Sequence, residues 1–196
     1  MRSRPDRRGA RVPLAIATLL LALGLPAVVP RAAAEPAIIN ERNRTYDYYA
    51  QDTDAETRRM LGLAEEYHLT SDTFWEQYKL KNWVRARGEL VFILRIVPNH
   101  PQVLYLLELV GRQMQDPSYP IAYYERAMRL YPQHAITRAH YGRYLVQIGR
   151  RDAGIVELRR ALEQDPTLVQ ARGWLDDALA NRPIASTEDI PENLPQ

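Results

Sequence analysis

Asp52, Asp54 and Glu56 alternate as the oxygen ligands of a calcium loop do. Such a loop needs glycine at its sixth position for the sharp turn and a bidentate glutamate at its twelfth. The chain has Thr57 and Leu63 there. The same residues suit a helix start better: in Thr53-Asp54-Ala55-Glu56 the hydroxyl can accept from an early amide while the carboxylate reaches back. No two of the four histidines, His68, His100, His134 and His140, stand three or four residues apart, and no His-Glu-x-x-His occurs. His100 and His134 each stand two residues after a proline, which predicts a recurring turn role rather than a metal site. No Gly-rich phosphate loop and no Gly-x-Ser-x-Gly is present, and the lack of cysteine removes thiol nucleophiles, thiolate metal sites and disulfides together. Adjacent carboxylates such as Glu65-Glu66 and Asp176-Asp177 point to different faces of a helix. No catalytic residue, metal or cofactor is expected, and a hydrolase is the remotest reading.

The elements that would carry any other function begin after a leader. With 46% apolar and 26% charged residues, the 196-residue chain suits one soluble domain. Met1 to Arg11 holds five Arg, Leu14 to Leu25 is apolar but for Thr18 and Gly24, and Ala32-Ala33-Ala34 precedes Glu35. A basic start, a short apolar core and an Ala-x-Ala site predict a signal peptide over residues 1–34, export, and a periplasmic mature chain. Pro26 and Pro30 leave about a dozen unbroken apolar residues where a spanning helix needs about 20. The alternative is an uncleaved inner-membrane anchor with the rest facing the periplasm. The full chain carries a net charge of +2, but the leader holds six Arg and one Asp. The remainder sets 20 cations against 23 anions, a net charge of −3. Without a basic surface to neutralise phosphates, nucleic acid is set aside as a partner.

The mature region is periodic. Pro98, Pro132 and Pro166 are 34 residues apart, and each closes a segment of helical periodicity. In that register Leu90, Tyr124 and Leu158 coincide, followed three places on by Ile93, Ala127 and Ala161, the spacing of one buried helix face. A second helix follows each of the first two prolines: Pro101 to Met114 carries Val103, Leu104, Leu106, Leu107 and Val110, and Ala135 to Ile148 ends at Gly149, a fitting C-cap. Leu168 to Ala180 reads as a terminal helix with Trp174, Leu175 and Leu179. Ahead of the repeats, Met60, Leu61, Leu63, Ala64 and Tyr67 give one more amphipathic helix. Residues 35–52 hold Tyr46, Tyr48 and Tyr49 without helical spacing, an extended or disordered arm. Residues 182–196 are acidic and proline-rich, a disordered tail.

A 34-residue helical hairpin with small residues at fixed positions and a closing proline resembles the tetratricopeptide repeat (TPR) family. Gly142, Gly149, Ala86, Gly154, Tyr124, Leu158, Ala127 and Ala161 carry the resemblance, which covers roughly residues 67–180. It implies an all-α fold over residues 53–181: a right-handed α-solenoid of about three hairpins, with an extra N-terminal helix and a C-terminal capping helix. Stacking is required because no hairpin buries its apolar face alone. Glu108 and Pro120 depart from the pattern where small residues belong, and Asp116-Pro117-Ser118-Tyr119-Pro120 predicts a late start to the next helix. Phe74, Trp75 and Tyr78 make the first hairpin degenerate. The resemblance further implies a concave groove, with Trp75, Tyr78, Tyr105, Arg112 and Arg143 as its contacts; Trp75 could instead simply pack on a neighbouring helix. On that reading, Arg143→Ala weakens partner capture and leaves folding intact. The lysine and asparagine pattern that grips a terminal carboxylate in some relatives is absent. The functional expectation is a non-catalytic protein- or peptide-binding scaffold of the cell envelope, or alternatively a structural subunit or homo-oligomer.

Overall fold

The computed structural model describes residues 44–184. The leader, residues 35–43 of the arm, and the tail from residue 185 onward lie outside the described residues. Among the described residues every regular element is helical. A 3-10 turn, Tyr48–Ala50, leads into α1 (Ala55–His68). A π-turn, Ser71–Trp75, and the single turn α2 (Glu76–Lys79) follow. Then come α3 (Trp83–Ile96), α4 (Pro101–Gln113), α5 (Ile121–Leu130), α6 (Ala135–Gln147), α7 (Arg151–Gln164) and α8 (Val169–Leu179). No helix among them is long and apolar enough to cross a membrane.

Helix starts follow from local side chains. α1 is capped by Asp54, not by Thr53: its carboxylate accepts from the Glu56 amide at 3.0 Å and the Thr57 hydroxyl at 2.7 Å. Glu56 does not reach back, because Arg44 and the Tyr46 hydroxyl hold its carboxylate. At α4 the His100 imidazole accepts from the Val103 amide, and Pro101 takes the first helical position, where a missing N–H costs nothing.

The 34-residue register recurs in the backbone itself. The amides of Val97, Tyr131 and Asp165 donate to the carbonyls of Ile93, Ala127 and Ala161, and those of His100, His134 and Leu168 to Val97, Tyr131 and Asp165. Opposite these turns, Lys81, Gln115 and Gly149 adopt φ of 55°, 58° and 84°. Each left-handed residue closes a helix in the same way. The next amide (Asn82, Asp116 or Arg150) returns to Gln77, Gly111 or Leu145, satisfying an otherwise orphaned end carbonyl. The sequence marks only the third of these caps with glycine.

Packing follows the register too. Leu90, Tyr124 and Leu158 are buried, as are Ile93, Ala127 and Ala161. Where α6 crosses α7, a Cβ on Gly142 would lie 2.9 Å from the Gly154 carbonyl, and one on Gly154 would lie 2.6 Å from the Gly142 carbonyl. Only glycine permits that approach. The α4–α5 pair solves the same problem differently: Glu108 stands where Gly142 does, α5 starts late as expected, and Gly111 meets the Pro120 ring instead. One core runs through α1 to α6, and a second joins α6, α7, α8 and Ile184.

The arm is ordered from Arg44 onward, and it crosses the proline turns. Tyr46 N–H donates to the Ile96 carbonyl at 2.9 Å, and Tyr48 N–H to the Asn99 side chain at 2.9 Å. Tyr48 stacks on His100 and Tyr49 on His134, at centroid distances of 4.8 and 4.6 Å. Asp47 accepts from Asn99 and pairs with His134 at 2.6 Å. The two turn histidines therefore serve a shared structural role.

Candidate functional site

The irregular α2 segment places Trp75 and Tyr78 on one cluster, their rings 6.0 Å apart. The π-turn and the single α-turn arise because Phe74 and Trp75 interrupt ordinary spacing: Phe74 is fully buried, and Trp75 packs edge-on against it at 4.7 Å. Tyr105 comes from α4, and Trp75 and Tyr78 pack against the core to which α4 contributes Val103, Leu104, Leu106 and Leu107. On α6 the Arg143 guanidinium lies over the Tyr105 ring at 5.4 Å and over Trp174 of α8 at 5.6 Å. Arg112, one turn beyond Glu108 on α4, donates to Glu108 at 3.3 Å and to Gln147 of α6 at 3.0 Å. All five residues expected from the sequence thus belong to one band drawn from α2, α4, α6 and α8.

Their roles within the band are unequal. Trp75, Tyr78, Tyr105 and Arg112 are partly exposed. Arg143 is not: it is fully buried, and so is its partner Glu108. Arg143 Nη2 donates to Glu108 Oε1 at 2.7 Å, and the Tyr124 hydroxyl donates to the same oxygen at 2.6 Å. The expectation that Arg143 is an open contact dispensable for folding is corrected by this burial, since removing it strands a carboxylate in a dry interior. Burial pushes the Glu108 carboxyl above its ordinary range, opposed chiefly by Arg143 and Tyr124. Arg143 and Tyr124 donate to one of its oxygens and Arg112 to the other.

Sequence reasoning missed Glu108, Trp174 and His140 as members of the band. Glu108 gave a usable signal, a charge in a small-residue position of an otherwise apolar helix face. His140 packs at a tilt against Trp174, their ring centroids 5.3 Å apart. Burial, with the Arg143 charge beside it, pushes its imidazole down to about 3, so it is neutral at ordinary pH. Arg143 Nε and Nη1 and Arg112 Nε are buried without a hydrogen-bond partner.

His68 and His100 are engaged in packing and ion pairs. His68 pairs with Glu89 at 2.7 Å and stacks on Phe92 at 4.0 Å, and His100 pairs with Glu65 at 2.9 Å. Among the described residues no group of three or more His, Cys, Asp or Glu is placed to hold a metal. What the band offers chemically is aromatic faces and guanidinium groups. The chain matches no protein-family model and no curated protein.

Proposed function

We propose that the chain is an exported, non-catalytic adaptor of the tetratricopeptide type, a right-handed α-solenoid whose concave face receives a peptide or protein segment. In this reading the π-turn and α2 pair with α3, α4 with α5 and α6 with α7 to form the three hairpins, α1 is the extra N-terminal helix and α8 the cap. Support comes from the three left-handed caps at 34-residue spacing and from the close glycine crossing of α6 and α7. The periplasm is the proposed compartment, on the strength of the leader's layout.

The observation that carries the binding role is the continuous band of partly exposed Trp75, Tyr78, Tyr105 and Arg112 over the buried Arg143–Glu108 pair. Aromatic and arginine side chains on a rigid base are what interface hot spots are made of. A photocrosslinking residue at position 105 tests it, with one at exposed Val84 as control. Capture of one defined partner from position 105, lost on Trp75→Ala and absent from position 84, is expected. Equal capture from both positions, or none from position 105, contradicts the reading.

Exposed Val156, Val169 and Leu179 on α7 and α8 favour a second reading, assembly of copies or of an envelope complex through that end. A concentration-dependent mass of the mature chain identifies that case.

A further inference from the structure

At the Arg112 end of the band, a cavity of about 550 Å³ opens between the end of α6, the start of α7 and the segment after α8. Its lining includes Arg112, Gln147, Arg151, Asn181, Arg182 and Ile184; among its residues are three arginines and no acidic group. The arginines are only partly neutralised. Arg151 is held by the carbonyls of Ala178 at 2.6 Å and Leu179 at 2.9 Å rather than by a carboxylate. Arg182 pairs with Asp177 at 2.7 Å while remaining largely exposed. Arg112 shares the buried Glu108 with Arg143, and its Nε has no acceptor. Two guanidinium groups on one carboxylate leave net positive charge at the cavity wall.

The chain runs directly into this cavity. Left-handed Asn181, with φ 55°, turns it back after α8, and the Arg182 amide closes the turn on the Asp177 carbonyl at 2.8 Å. Ile184 is then buried, and its carbonyl accepts from the Gln147 side chain at 3.4 Å. Residues 185–196 contain Glu188, Asp189 and Glu192 and no Lys or Arg. Glu188 is four residues beyond Ile184, at most about 14 Å of extended chain. A sphere of the cavity's volume is about 10 Å across, so that reach covers it.

We propose that this cavity is a carboxylate-binding site whose occupant is the chain's own acidic segment, residues 185–196. The guanidinium groups of Arg112 and Arg182 are the recognition groups, since arginine pairs with carboxylate through two parallel N–H bonds. The contact shares Arg112 with the band and uses none of its aromatic residues. Tethering favours the intramolecular occupant, because a short flexible linker holds it at an effective concentration in the millimolar range.

The test uses the full chain and a full chain carrying Glu188→Gln, Asp189→Asn and Glu192→Gln, all outside the described fold. The probe is a fluorescein-labelled peptide copying residues 185–196, followed by anisotropy at about 20 mM salt, where screening is weak. The peptide is expected to bind the neutralised chain about tenfold more tightly than the native one, the ratio for a site of about 100 μM affinity filled by a millimolar tethered competitor. It is expected to lose that binding when Arg112→Gln and Arg182→Gln are added, with helical circular dichroism unchanged. Equal binding to native and neutralised chains means that acidic peptides enter from outside and overturns self-occupancy. Binding to neither chain, or binding that survives loss of both arginines, overturns the site.

Discussion

Replacing Arg143 by methionine isolates the buried ion pair at the centre of the band. Both Arg143 and Glu108 are fully buried, and their charged atoms meet at 2.7 Å. Breaking such a pair costs about 3–5 kcal/mol because the surviving charge is left without its partner. Glu108 would keep the Tyr124 hydroxyl at 2.6 Å and Arg112 at 3.3 Å, so Arg143→Met falls at the lower end, about 3 kcal/mol. Glu108→Leu falls at the upper end, about 5 kcal/mol, because two nitrogens of Arg143 already lack an acceptor and a third would lose its own. The double variant Glu108→Leu/Arg143→Met removes both buried charges; partly exposed Arg112 keeps Gln147 as acceptor, and the orphaned Tyr124 hydroxyl leaves a cost of about 1 kcal/mol. Urea unfolding followed by far-UV circular dichroism, at unchanged m value, reads all three. An Arg143→Met chain within about 1 kcal/mol of the native protein, or a double variant as unstable as the sum of the singles, refutes the reasoning.

Other substitutions separate backbone strain from crowding. Gly149→Ala costs about 1–2 kcal/mol by thermal or urea unfolding although its Cβ meets nothing within 4 Å, since the left-handed backbone alone penalises it. Gln115→Gly at the equivalent cap stabilises by about 1 kcal/mol in the same assay. Gly142→Ala costs about 1–3 kcal/mol or more by crowding, because the added carbon would lie 2.8 Å from Leu158 and 2.9 Å from the Gly154 carbonyl. His140 supplies a pH test. Its folded pKa, about 3, is far below the ordinary imidazole value, so below pH about 6.5 the unfolded chain binds a proton the folded one refuses. Relative to His140→Phe, the native protein should lose about 1.4 kcal/mol of stability for each pH unit between about 6 and 4; a difference independent of pH contradicts a buried neutral imidazole.

What the sequence discloses is the local and periodic part of the structure. Apolar residues at i and i+3, repeated at Leu90, Tyr124 and Leu158, carry the information for a buried face in the side chains themselves. Pro98, Pro132 and Pro166 mark where helices stop. The late start of α5 and the broken α2 are legible as well, because Pro117, Pro120 and Trp75 act on their immediate neighbours. The left-handed caps at Lys81 and Gln115 are not legible, since a lysine or glutamine there sits on exposed backbone whose conformation is imposed by returning hydrogen bonds. The arm is hidden for a different reason: Tyr48 finds its acceptor 51 residues away, and Asp47 its histidine 87 residues away. Arg143 shows the same limit at the band. A lone arginine on a helix reads as a solvent-facing contact until Glu108, 35 residues earlier, supplies the countercharge that lets it be buried.

One 34-residue backbone unit recurs through the described residues, and backbone chemical shifts of the protein in solution report on it residue by residue. Helical shifts are expected over α2 to α7, broken at Lys81, Gln115 and Gly149 by left-handed values of similar size despite three different side chains. Helical or extended shifts at Lys81 and Gln115, with a left-handed signature confined to Gly149, would contradict it.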